Sequence, residues 1–216
     1  WLMVHSGSRA MGQSITAHHL AQADRSTRLP SLVADSDAGR AYLSDQRWAR
    51  AYARENRHRI AKAAVGALRE VTGEKSEWAE FFDGDHNHVQ REVHAGEALF
   101  VHRKGAQSAR EGERGIIPGS MGSPSFHVEG RGEASSFCSS SHGAGRALSR
   151  TEARRRVSPL GFLQDVEGVW FNPRLASRLR EEAPRAYKDI GKVMRAQRDL
   201  VRIVRRLRPR LSFKGV

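Results

Sequence analysis

The sequence predicts an α+β chain, mixed sheets with packed helices, and three observations lead to that class. Apolar residues recur at three- and four-residue spacing over 37–71, short apolar runs alternate with Gly, Ser and Pro over 81–150, and helical spacing returns over 184–207. With 216 residues and 38% hydrophobic content the chain is long enough to bury a core without disulfide or metal staples, so 1–216 reads as one domain. It opens Trp1-Leu2-Met3-Val4 with no initiator Met, which reads as a buried strand already in progress. We therefore expect a C-terminal portion with the N-terminal part missing.

The elements follow in order. After the opening strand comes a polar turn, His5-Ser6-Gly7-Ser8-Arg9, then a helix from about Gln13 to Ala23 and a loop around Pro30. The helix over 37–71 carries Trp48, Tyr52, Ile60, Ala63, Ala64, Ala67 and Leu68 on one face, with Gly73 as its stop. That face is expected to pack on a sheet, with the arginines outward. Over 81–150, Phe100, Ile117, Phe126, Val128 and Phe137 argue for a sheet with functional loops rather than a linker. From about Pro184 to Leu207, Ile190, Val193, Met194, Gln197, Leu200, Val201, Val204 and Leu207 form a helical stripe ended by Pro209, with Arg195, Arg198, Arg202, Arg205 and Arg206 mostly off it.

A net charge of +13 favours a polyanionic partner, nucleic acid first and an anionic membrane surface second, because clustered Arg and Lys attract phosphates. No apolar run reaches the roughly 20 residues of a membrane helix, so nothing here is expected to span a bilayer, and nucleic acid, not membrane, is the expected partner. The single cysteine, Cys138, has no internal disulfide partner and suits a reducing, cytoplasmic setting.

Four stretches carry chemistry-bearing groups. His5 opens a Ser-Gly-Ser turn at a strand end, a position suited to a metal ligand or a phosphate contact. His86 and Asn87 lie in a run rich in imidazole and carboxylate, donors that suit Mn²⁺ or Zn²⁺, although the spacing matches no zinc signature. The basic run His102-Arg103-Lys104-Gly105-Ala106 precedes the loop 117–123, whose glycines let amides approach a phosphate; a plain turn competes with that reading. In Ser141-His142-Gly143-Ala144-Gly145-Arg146, a neutral imidazole can attack phosphorus and Arg146 can offset charge. Taken alone, those six residues are better explained as a structural loop.

Taken in order, HSGSR (5–9), HN (86–87), RKGA (103–106), IPGSMG (117–122), SFCSSSHGAGR (136–146), AYKDI (186–190) and the terminal KG (214–215) closely resemble the RtcB family of RNA ligases. The resemblance spans nearly the whole chain and implies an RtcB-like fold. It also implies an enzyme that joins RNA 3′-phosphate or 2′,3′-cyclic phosphate ends to 5′-hydroxyl ends, using GTP as cosubstrate and two Mn²⁺ ions in the complete site. By this resemblance His142 is the nucleophile that takes GMP, and His5 and His86 are Mn²⁺ ligands. Guanylate would be held by His86, Asn87, Pro118, Gly119, Ser120, Met121, Ser125, His142, Gly143, Ala144, Gly145 and Lys214.

RNA ends, including tRNA halves, would be the substrates in tRNA splicing or RNA repair, with an activating protein a further partner. The family's remaining metal-binding groups, an aspartate and a cysteine in a DxGCG-like motif and a histidine in a GNHF-like motif, have no match here, and Cys138 does not take the cysteine's place. The resemblance thus implies a nucleophile and much of a guanylate pocket with part of a metal site, and no activity from this piece alone. Two other readings stay open: a catalytically inactive, truncated RNA-binding remnant, and a metal-dependent phosphoesterase using His5 and His86.

Overall fold

The computed structural model describes residues 1–26 and 28–215, and helices with small antiparallel sheets make it α+β. It divides into two units, Trp1–Asp83 with His88–Gln90, and Gly84–Asn87 with Arg91 onward.

The first unit is built on two helices, α1 (Ala10–Gln22) and α2 (Asp37–Thr72). Helix α2 starts where the sequence places it because the Ser36 hydroxyl accepts the Gly39 N–H at 3.1 Å, satisfying one of the unpaired donors of the first turn. It stops at Gly73, which takes φ +72 and donates its N–H to the Arg69 carbonyl at 2.8 Å. Within its unit α2 contacts α1; Gly39, Gln46, Ala53 and Ala61 are its buried residues, while Trp48, Tyr52, Ile60 and Leu68 stay exposed. Buried His19 donates Nε2–H to Asp45 at 2.8 Å across this contact.

The expected opening strand is also corrected. Residues 1–4 are irregular, and Trp1, Leu2 and Met3 are exposed. A strand needs a hydrogen-bonding neighbour, and none of the sheets among the described residues pairs with them.

The second unit holds three small sheets. Strands β1 (Asn87–His94) and β2 (Glu97–Lys104) form a hairpin whose two turn residues, Ala95 and Gly96, both take positive φ, the turn that matches strand twist. Strand β3 (Ala106–Ser108) pairs antiparallel with β6 (Ser139–Ser141), Gln107 opposite Ser140. The third sheet has the order β4 (Arg114–Ile117), β5 (Ser125–Gly130), β7 (Val201–Leu207), all antiparallel. Its central strand β5 is buried except at Glu129, as two neighbours and a covered face require.

Helices α3 (Arg150–Arg156), α4 (Pro159–Asp165), α5 (Ala176–Leu179) and α6 (Ile190–Ala196) complete the unit. Ile117, Phe126, Val128, Ala144, Ile190, Met194 and Val201 share one core; Met121, Val157, Phe162, Val166, Leu179 and Ala183 share a second. Phe100 and Phe137 are exposed, whereas Ile117, Phe126 and Val128 are buried.

The largest correction is at the C-terminal end. The expected helix over 184–207 exists only as α6; the chain then turns at Gln197 and returns as β7. Val201, Ile203 and Val204 are β-branched and suit a pleated strand, and pairing with β5 from Ser125–Leu207 to Gly130–Val201 outweighs the local helical spacing. The arginines of β7 then lie on an exposed edge strand, where charge blocks further strand pairing.

Candidate active site

The site forms around His142, which follows β6 directly. Gln197, only 5% exposed, fixes that strand end by accepting the Ser141 N–H at 3.0 Å, and Gln107 donates to the Ser141 carbonyl at 3.5 Å. The His142 Nδ1–H donates to the Gly105 carbonyl at 2.6 Å. Because a carbonyl can only accept, the proton resides on Nδ1, and in the neutral ring the Nε2 lone pair is free to act. The same Gly105 donates its N–H to the His86 carbonyl at 2.8 Å, and the His86 and His142 rings stack with centroids 4.3 Å apart. Gly105 sits at φ +74 with the His142 ring against it, so glycine serves here both as a turn and as close-approach backbone.

The 117–123 loop packs beside this pair. Ala144 donates its N–H to the Pro118 carbonyl at 3.4 Å, joining the loop to the turn after His142, and Gly145 takes φ +71. Gly119 donates its N–H to the Ser125 hydroxyl at 3.2 Å, and Ser120 donates to Ser123 at 2.8 Å. A Cβ on Gly119 would collide with the Pro124 carbonyl, and one on Gly122 with the Asp165 carbonyl. The Met121 side chain is buried in the second core, so it anchors the loop and leaves only its backbone to face a ligand.

Lys214 reaches the same neighbourhood through Glu182. Its Nζ lies 3.5 Å from Glu182 Oε2, the oxygen that accepts the Tyr187 hydroxyl at 2.6 Å, while Arg146 Nη1 lies 3.5 Å from Oε1. Arg146 also donates to the Tyr187 oxygen at 3.1 Å and to the Glu181 and Leu148 carbonyls at 2.6 and 3.0 Å. Burial alone would raise the Glu182 carboxyl, but the Tyr187 hydrogen bond and the Lys214 and Arg146 charges outweigh it and hold the group below its ordinary range. Burial and the bond to Glu182 push Tyr187 up to about 12.

Arg103, in the basic run, is 2% exposed and bonds both Glu92 oxygens, at 2.5 and 3.0 Å, with further bonds to Ser139 and the Phe137 carbonyl. Glu182 escaped notice because it lies in an Arg-Glu-Glu run between the motifs. The other candidates are placed plainly. Asn87 is exposed and opens β1, while His5 is exposed in the first unit, where Asn56 and Arg57 of α2 bond the Ser6 and Gly7 groups of its loop. Among the described residues no three His, Cys, Asp or Glu side chains gather as a metal site, so His5 and His86 do not make one by themselves.

A model of the family described as tRNA-splicing ligase RtcB matches residues 1–215. The chain belongs to the RtcB family. It is 40% identical to the RNA-splicing ligase RtcB of Escherichia coli (strain K12), with 100% of this chain and 56% of that relative covered. It is 31% identical to the RNA-splicing ligase RtcB of Mycobacterium tuberculosis, with 99% and 56% covered, and 31% identical to the tRNA-splicing ligase RtcB of Thermococcus kodakarensis, with 99% and 52% covered. The chain spans about half the length of the curated relatives it matches. No helix among its described residues is long and apolar enough to cross a membrane. Within the RtcB family reading, the HN, RKGA and HGAGR motifs converge on Gly105, and HGAGR, AYKDI and the terminal lysine converge on Glu182.

Proposed function

We propose that this chain carries the guanylylation centre of an RtcB-type RNA ligase, with GTP as cosubstrate and RNA ends, tRNA halves among them, as substrates. The observation that carries the reading is the tautomer of His142: with Nδ1–H committed to Gly105, Nε2 presents its lone pair. In the first step Nε2 attacks the GTP α-phosphorus, the bond to the bridging oxygen breaks, and pyrophosphate leaves with that electron pair. The guanylate then passes to an RNA 3′-phosphate, a cyclic phosphate first being opened by water. Last, an RNA 5′-hydroxyl attacks the activated phosphorus, losing its proton, and GMP leaves as the new phosphodiester forms.

This chain's own groups bind and orient. The Gly105 carbonyl also stabilises the Nδ1–H as positive charge develops on the attacking ring. The 118–121 loop, Ser125, the 143–145 turn, His86, Asn87 and Lys214 form the proposed guanylate pocket, and Arg146 offsets phosphate charge. His5 and His86 are proposed as this chain's share of a Mn²⁺ ligand set that needs further donors; the metal would polarise the phosphate oxygens. The reading places the protein in the cytoplasm.

The test is covalent labelling. The full-length protein with α-labelled GTP and Mn²⁺ should retain label through denaturation, and His142→Ala should retain none. Undiminished label on that variant would remove His142 from the role, and an unlabelled wild type would remove the ligase reading.

A further inference from the structure

Arg146, Tyr187 and Lys214 belong to three separate motifs, yet their polar ends meet at one carboxylate that belongs to none of them. Glu182 accepts the Tyr187 hydroxyl at 2.6 Å and lies 3.5 Å from both the Arg146 guanidinium and the Lys214 ammonium. The convergence also extends to the backbone beside the nucleophile: Lys188 donates its N–H to the Gly145 carbonyl at 3.0 Å, and Arg146 forms a bridge with Tyr187. The Arg146 guanidinium lies over the Tyr187 ring at 5.0 Å. Two cations and a hydroxyl on one half-buried carboxylate form a clamp, because a flexible lysine near the chain end loses its freedom only where an opposite charge holds it.

We propose that Glu182 is a positioning residue: it holds Lys214 and Arg146 in place for nucleotide capture, without itself touching the reacting atoms. The proposal rests on the reading of His142 as the guanylylated nucleophile. Removing the charge should therefore weaken capture of GTP while leaving the chemical step at His142 nearly intact, since the bond from His142 to Gly105 is separate from this cluster.

The experiment titrates GTP in the labelling reaction of the full-length protein with Mn²⁺. In Glu182→Gln, the concentration for half-maximal labelling rate should rise about three- to tenfold, the scale of losing charge-assisted bonds in a partly exposed pair, and the rate at saturating GTP should stay within about twofold of wild type. Lys214→Ala should also raise the half-maximal concentration, and the double variant should lose less than the sum of the two single losses, because Glu182 acts in part through Lys214. Tyr187→Phe, which removes one hydroxyl and keeps the ring, should shift the titration in the same direction and guards against a Glu182 variant that fails to fold.

A Glu182→Gln titration that overlays wild type would overturn the proposal, as would losses in Glu182→Gln and Lys214→Ala that simply add. If wild type labels and His142→Ala does not, either outcome sinks the role of Glu182 alone. If wild type takes no label, the nucleophile reading fails first and the proposal with it.

Discussion

The Nδ1–H of His142 and the carbonyl oxygen of Gly105 are 2.6 Å apart, and that bond places the proton of the neutral ring on Nδ1. Gly105 adopts φ +74 beside the ring, and an added Cβ would stand 3.4 Å from His142 Cε1. Gly105→Ala introduces a left-handed strain of about 1–2 kcal/mol, which shifts the backbone whose carbonyl holds the ring. Guanylylation at saturating GTP should slow by about tenfold or more, since a small misplacement of a nucleophile is costly. A labelling rate equal to wild type would show that this bond does not set the tautomer.

Gly119 tests the neighbouring loop. A Cβ there meets the Pro124 carbonyl, which is backbone and has no rotamer in which to escape, so Gly119→Ala must displace the loop and its bond to Ser125. Weaker GTP capture and a lower melting temperature are expected together. Ser125→Ala removes only the accepting hydroxyl and should cost about 1 kcal/mol. Thermal melting of both variants, with GTP titrations, checks the ordering; an unperturbed Gly119→Ala would mean the loop is free to move.

What could be read from the sequence followed the range of the interactions. Helix α2 was legible because its signals are local: Ser36 caps, Gly73 stops, and both lie within four residues of their partners. Strand β7 was not, because Val201-Arg202-Ile203-Val204 satisfies helical and extended spacing alike and only β5, about 75 residues earlier in register, decides between them. The site shows the same division. Motif order pointed to His142, the 117–122 loop and Lys214, whereas the burial of Arg103 against Glu92, eleven residues away across a hairpin, and the role of Glu182 have no local signature.

The stop of α2 can be measured on its own. A Cβ at Gly73 meets nothing within 4 Å, so Gly73→Ala isolates the conformational cost of φ +72 from any clash. A loss of about 1 kcal/mol in urea unfolding is expected, with nucleotide labelling unchanged. A loss near zero would mean that the helix end relaxes into another cap.

The Glu92–Arg103 pair sets the acid limb of stability. The Arg103 bonds hold the Glu92 carboxyl down at about 2 from its ordinary 4.5 against the opposing effect of burial, with His94 and Arg110 adding to the shift. A depressed carboxyl means that the unfolded chain binds the proton first on acidification. The contribution is therefore complete above about pH 4.5 and is lost as pH falls toward 2, at up to about 1.4 kcal/mol per pH unit. Glu92→Gln should flatten the fall in unfolding free energy between about pH 5 and 3 by as much as that one proton contributes. Arg103→Met should be worse at neutral pH, by about 3–5 kcal/mol, because it leaves a buried carboxylate without its main counter-charge. Urea titrations of the three proteins across that range would separate the cases. Parallel acid limbs for wild type and Glu92→Gln would mean that the pair is already broken or protonated in the folded chain.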